Sequence, residues 1–230
     1  MTAPAWEAVL FDFGGTLDGD GIHWSRRFDA AFRALGLSYP PEALDRAFRA
    51  AEDAINADPA VSRLDLPGSI RLEAGLMLGA LGFPDPAPAE AAARALTLET
   101  RGFLARNSDV LRALRGRARL GILSNFTGNL ELILSQEGLR DLVDGVFDSA
   151  VVGLRKPDPA FFRHALERLG AEPARALMVG DSVDMDLRPA RALGMATAWV
   201  EGPAPRPTDF RPDLTLASVR DLPGAWGARR

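Results

Sequence analysis

Apolar residues run unbroken from residue 8 to residue 11, and the run ends on Asp12 just before the pair Gly14-Gly15. A continuous apolar segment closed by glycine predicts a strand buried on both faces. Further short apolar runs lie at 120–123, 143–152, 176–179 and 197–200, with a last one at 214–216. Between them, at 109–117, 129–137, 159–169 and 186–193, the apolar positions fall at helical spacing. Strands alternating with helices predict an α/β fold, a doubly wound, Rossmann-like parallel sheet with right-handed crossovers.

The stretch between the first strand and residue 107 has a different character. Segments 26–35, 41–57, 69–81 and 89–104 carry apolar residues three and four apart, and breakers separate them at Pro40-Pro41, Asp58-Pro59, Pro67-Gly68 and 84–88. Helices without a strand predict an all-α unit inserted after the first strand. The expected organisation is an α/β core from residues 1–20 and 107–230, with a helical cap domain from 21–106 over the sheet end that holds Asp12. The proline-rich stretch 203–212 reads as a surface loop.

Composition narrows the function. The 230 residues are 47% hydrophobic and 25% charged, as in an ordinary globular protein. A formal net charge of -4 leaves no broad basic field, which argues against nucleic acid or an acidic membrane as partner. The chain has no cysteine, so disulfides, thiolate metal sites and cysteine catalysis are excluded. The amino terminus has no signal-peptide pattern, and no apolar run approaches the roughly 20 residues needed to cross a bilayer. A cytoplasmic protein is expected, of an oligomeric state the sequence leaves open. All 27 basic residues except Lys156 are arginine. A lone lysine either escaped a compositional drift by chance or stands where a compact ammonium is required.

Asp12, Ser124, Lys156 and Asp181 each fall just after an apolar run. In a parallel sheet the strands' carboxyl ends share one edge, so the four groups are expected to converge. A carboxylate can act as a nucleophile, a hydroxyl and an ammonium can hold an anion, and further carboxylates can hold Mg²⁺. Each residue also has a structural reading. Asp12 could cap the next turn, Ser124 or Asp181 the helix that follows, and Lys156 could lay its stem on apolar surface.

The ordered set Asp12-Phe-Gly-Gly-Thr-Leu17, Ser124-Asn125, Lys156-Pro157 and Gly180-Asp181-Ser-Val-Asp-Met-Asp186 resembles the four motifs of the haloacid dehalogenase superfamily. The resemblance is to the subgroup with a helical cap after the first strand, and it covers nearly the whole chain. It implies Asp12 as nucleophile, Ser124 as donor to a transferring phosphoryl group and Lys156 as the balancing charge. It implies Mg²⁺ held by Asp12, Asp181, Asp186 and the backbone carbonyl of Gly14, with Thr16 and Asn125 at the substrate. The implied reaction is hydrolysis of a small phosphorylated metabolite through an aspartyl-phosphate.

One position departs from that pattern. Phosphatases of the family carry a second Asp two residues after the nucleophile, as acid and then base, and here that residue is Gly14. Loss of such a group typically costs about 10² to 10⁴ in rate. Two branches of the family also lack this Asp. The phosphonate-cleaving branch needs a cap lysine, which is absent; the haloacid dehalogenases need no metal but have a less acidic last motif. The expected order is therefore a Mg²⁺-dependent phosphatase, then a metal-independent 2-haloacid dehalogenase, then a phospho-ligand-binding protein whose catalysis has decayed. Beyond the nucleophile, Asp18, Asp20 and His23 lie within reach of a leaving group, and His23 could supply the missing proton. The alternative is that Asp20 caps the first inserted helix while His23 packs beside Trp24. Arg63 and Arg71 could bind an acidic substrate, and nothing singles either out.

Overall fold

Six strands form one parallel sheet in the computed structural model, which describes residues 6–83, 85–203 and 209–226. They are β1 (Ala8–Phe11), β2 (Arg119–Ser124), β3 (Gly145–Asp148), β4 (Ala176–Gly180), β5 (Ala196–Val200) and β6 (Leu214–Leu216), in the order β3-β2-β1-β4-β5-β6. All four residues of β1 are fully buried because the strand is covered on both faces. Val9 and Phe11 join one apolar layer with Ile122, Val179 and Val200. Ala8 and Leu10 point the other way, into a second layer with Leu123, Met178 and Trp199. The chain runs outward from β1 through β2 to β3, then returns to lay β4 on the opposite edge of β1. The crevice where the strand order reverses, at the carboxyl ends of β1 and β4, is the place where open parallel sheets keep ligands.

Four helices stand between β1 and β2: α1 (Trp24–Ala34), α2 (Pro41–Ala57), α3 (Leu66–Ala80) and α4 (Pro86–Leu114). They pack around Phe28, Phe32, Phe48, Ile70 and Met77 in a core continuous with one face of the sheet. The remaining helices are α5 (Leu130–Gln136), α6 (Ser149–Val152), α7 (Pro159–Leu169), α8 (Arg188–Ala192) and α9 (Leu222–Ala225). Residues of α5 and α9 pack on the face that α4 covers, and those of α7 and α8 on the other. The sheet is thus wound on both sides. No helix of the described residues is long and apolar enough to cross a membrane.

The structure corrects several expected elements. The helices at 89–104 and 109–117 are one helix, α4, which runs through position 107. In the gap between the two expected helices, Asn107 Nδ2 donates to the Leu17 carbonyl at 2.9 Å, and Ser108 Oγ to that of Ala105 at 2.8 Å. The apolar run at 143–152 is only half strand. Asp148 ends β3 and caps α6 by accepting from the Ala150 amide at 2.9 Å. Lys156 therefore follows a short helix and a loop, not a strand end. Helix 186–193 divides into a turn at Val183–Leu187 and the shorter α8. Of the loop expected at 203–212, residues 204–208 lie outside the described residues, as do Pro84 of the 84–88 breaker and the first five residues of the chain.

Arg27 fastens the inserted helices to the loop after β1. Only 2% exposed, it donates to the Asp18 carbonyl at 3.1 Å, to Thr100 Oγ1 at 2.5 Å and to Glu99 at 2.9 Å. Its guanidinium also lies 3.9 Å from the Trp24 ring centroid. Removing one side of a buried charged network leaves the other uncompensated, at a cost of about 3–5 kcal/mol. Arg27→Met should accordingly lose about 3 kcal/mol in chemical denaturation; a loss below about 1 kcal/mol would show that the network is not what joins the two layers.

Candidate active site

Asp12 leaves the end of β1 into a turn at Phe13–Leu17. Its Oδ1 accepts three hydrogen bonds: from the Phe13 amide at 2.7 Å, from Ser124 Oγ at 3.1 Å and from Lys156 Nζ at 2.6 Å. Its Oδ2 takes none of these. One oxygen is thus held in a fixed direction while the other remains available. The turn works because Gly15 adopts φ +84°, and because a Cβ at that position would lie 2.7 Å from Asp181 Oδ2. Gly180 makes the matching concession, since a Cβ there would collide with the Asp186 carboxylate. These two glycines let both acids approach Asp12.

Lys156, 4% exposed, bridges Asp12 Oδ1 at 2.6 Å and Asp186 Oδ1 at 2.7 Å. Burial alone would lower its pKa, but the two carboxylates outweigh that and hold it above its ordinary value. Asp186 is fully buried, and burial pushes its carboxyl up to about 7 against the pull of Lys156. Asp181 is held well above the usual carboxylate range, first by burial and then by the charges of Asp12 and Asp186. Asp12, Asp181 and Asp186 each present one oxygen, and the three lie within 4.8 Å of one another. Hard oxygen donors crowded together with only one compensating ammonium suit a small divalent cation, so this donor set fits Mg²⁺.

Of the other expected residues, Gly14, His23 and Asn125 line the cavity, whereas Thr16 does not. Thr16 is buried; its hydroxyl donates to Asp181 Oδ1 at 3.1 Å and accepts from the Asp181 amide at 3.0 Å, so it orients that acid. Asn125 turns its amide to the backbone of Lys156, accepting at 2.8 Å and donating at 3.0 Å. It thereby fixes the loop that carries the lysine. Gly14 has φ -69°, ψ 116° and sits on the cavity wall. His23, not Asp20, caps α1 by accepting from the Ser25 amide at 3.3 Å, and it meets Phe48 edge-on. Asp20 instead accepts from the Val219 amide at 2.7 Å. Neither Arg63 nor Arg71 lines the cavity, and Arg71 pairs with Glu90 at 3.1 Å.

The cavity itself measures about 670 Å³. Its floor is Asp12, Lys156 and Asp181, and its roof is supplied by the inserted helices through Trp24, Phe48 and Glu73. Sequence reasoning missed Glu73, although the signal was present. Leu66, Ile70, Glu73 and Met77 are spaced as one stripe of α3, so a carboxylate interrupts an otherwise buried apolar face. The Asp18 carboxylate, expected within reach of a leaving group, lies on the cavity wall, where it accepts from the Gly15 amide at 2.6 Å and from Trp24 Nε1 at 2.8 Å and so braces the turn.

The sequence profile of the haloacid dehalogenase-like hydrolases matches residues 6–194. Pyrimidine 5'-nucleotidase YjjG of Escherichia coli (strain K12) is 35% identical over 116 residues, which is 49% of this chain and 52% of that protein. Phosphoserine phosphatase of Thermus thermophilus is 36% identical over 126 residues, covering 54% of this chain and 48% of that one. The chain thus spans about half the length of these curated relatives. The L-2-haloacid dehalogenase of Xanthobacter autotrophicus, solved with chloropropionic acid covalently bound, superposes with a TM-score of 0.60 at 21% identity. That match covers 98% of this chain and 100% of the other, and at this identity it speaks for the fold alone.

A pH dependence follows from the raised carboxyls. Without metal, the folded chain binds more protons at Asp181 and Asp186 than the unfolded chain does, so these groups cost stability as pH rises from about 4 through about 7. A cation that replaces those protons should stabilise most where protons are scarce. The rise in Tm on adding 10 mM Mg²⁺ should therefore be larger at pH 8 than at pH 5. An equal shift at both values, or none, would show that these acids do not hold the metal.

Proposed function

The chain belongs to the haloacid dehalogenase-like hydrolases, and on that premise we propose that it is a Mg²⁺-dependent phosphatase of a small phosphorylated metabolite. The observation that carries this reading is the grouping of Asp12, Asp181 and Asp186, one oxygen each within 4.8 Å, about the ammonium of Lys156. The curated relatives named as a nucleotidase and a phosphoserine phosphatase support it. A dehalogenase needs no divalent cation, and its carboxylate substrate would meet this acidic group at a disadvantage.

On this reading the Asp12 oxygen left free of hydrogen bonds attacks phosphorus in line, and the bond to the leaving alcohol breaks. Water then opens the aspartyl-phosphate, releasing inorganic phosphate and restoring Asp12. Ser124 and Lys156, which hold the other Asp12 oxygen and line the cavity, would donate to the phosphoryl oxygens. Mg²⁺ held by Asp12, Asp181 and Asp186 would supply charge neutralisation on the transferring group. The leaving oxygen needs a proton, and Gly14 has none to give.

Hydrolysis of p-nitrophenyl phosphate should require Mg²⁺, cease with excess chelator and return when the metal is restored. Asp12→Asn keeps the shape without the charge, so its turnover should drop at least about 10³-fold while the melting curve is retained. Halide release from 2-chloropropionate in the presence of chelator would establish the dehalogenase instead.

Gly14→Asp tests the departure directly. The backbone there has negative φ, and a Cβ would meet only Trp24 Cδ1 at an ordinary 3.7 Å, so the side chain can be accommodated. Turnover of an alkyl phosphate, whose leaving group needs protonation, should rise about 10²-fold, and that of p-nitrophenyl phosphate far less. A folded variant with no gain on the alkyl ester would mean that position 14 is not a lost acid.

A further inference from the structure

The cavity above the nucleophile has two chemically different ends. The floor carries Lys156, while the roof carries Glu73 from α3 and Glu52 from α2. Arg155 stands on the wall as well, and its charge acts on Glu52. Glu73 is half-buried and takes no hydrogen bond or ion pair among the described residues. It occupies an apolar-stripe position between Ile70 and Met77 on α3. A carboxyl kept unpaired on the wall of a cavity is costly unless something that enters the cavity meets it.

Resting on the phosphatase reading, we propose that Glu73, seconded by Glu52, selects substrates whose leaving alcohol carries a protonated amine. The phosphate would lie at Asp12 and Lys156, and the ammonium at the acidic roof. The alternatives fit the roof less well. A carboxylate there would face the two acids Glu73 and Glu52, with Arg155 beside them, and a purely apolar group would leave Glu73 without a partner. Burial, and then the charges of Glu52 and Asp18, push Glu73 up to about 8, so in the empty cavity it keeps its proton at neutral pH and gives it up when an ammonium arrives to pair with it. Buried, charge-assisted pairs of this kind discriminate strongly against an isostere that lacks the charge.

Two phosphonates of equal size separate the contributions without turnover: 2-aminoethylphosphonate, which carries the ammonium, and propylphosphonate, which replaces it with methyl. Calorimetry on the Mg²⁺-loaded protein should show at least about tenfold tighter binding of the amine. In Glu73→Gln the ratio should fall toward one, and Glu52→Gln should reduce it less. Should the glutamine variant fail to fold, Glu73→Leu restores the apolar stripe and serves the same end. Equal affinities in the wild type, or a preference that survives loss of Glu73, would overturn the proposal, and failure of both phosphonates to bind would overturn it together with the phosphate site. Mg²⁺-dependent hydrolysis of p-nitrophenyl phosphate, measured in parallel, tells whether the hydrolase reading stands even where the amine preference fails.

Discussion

Three carboxylates and one ammonium meet in a buried pocket at the carboxyl edge of the sheet, and together they carry more negative charge than that pocket can hold when all are ionised. Desolvation makes such an excess expensive and raises the carboxyls of Asp181 and Asp186, which favours their protonated forms. A divalent cation would discharge the same excess. Much of the surrounding structure serves to bring these groups together in spite of that repulsion. Gly15 and Gly180 give up side chains so that Asp181 and Asp186 can approach. Thr16 orients Asp181 with two hydrogen bonds, and Asn125 clamps the backbone of Lys156 with two more. The fully buried β1 supplies the rigid stem on which Asp12 is mounted.

The sheet and its edge were legible because a strand buried on both faces writes an unbroken apolar run, as at 8–11 and 176–179. The inserted helices were legible from spacing and breakers. Failures came where polar residues have uses that one dimension does not display. Where two helices were expected, α4 continues, with Asn107 bonded across to the Leu17 carbonyl and Ser108 back to that of Ala105. Asp148 divides an apolar run into strand and helix by capping, and Lys156 consequently reaches the site from a loop. The convergence of Asp12, Ser124, Lys156 and Asp181 was readable, while the orientation of Asn125 and Thr16 was not. Motif spacing shows which residues come close, but not which atoms they face.

Shape alone does not separate the two main chemistries. A solved haloacid dehalogenase covers nearly the whole chain at a TM-score of 0.60, whereas relatives named as a nucleotidase and a phosphoserine phosphatase are 35% and 36% identical over about half their length. Charge is the better discriminator. Displacement of halide from a haloacid brings a substrate carboxylate beside the nucleophile, and a site with three acids within 4.8 Å and one lysine is ill-suited to it. Phosphoryl transfer brings a dianion too, but one that a divalent cation and Lys156 can share.

Gly14 and the acidic roof, though far apart in sequence, bear on the same step. The turn around Gly14 is braced without a side chain there: Trp24 lies against it, tied through Nε1 to Asp18, which also holds the Gly15 amide. On the proposed reading a site so built would offer no proton at position 14, and its rate on an ester would depend more on how readily the alcohol leaves. An ammonium near the leaving oxygen withdraws electrons and makes the alkoxide a weaker base, so it departs with less help. On the proposed reading, Glu73 would favour the class of substrate for which the missing acid matters least. Recognition in the roof and the glycine in the floor would then be two halves of one specificity.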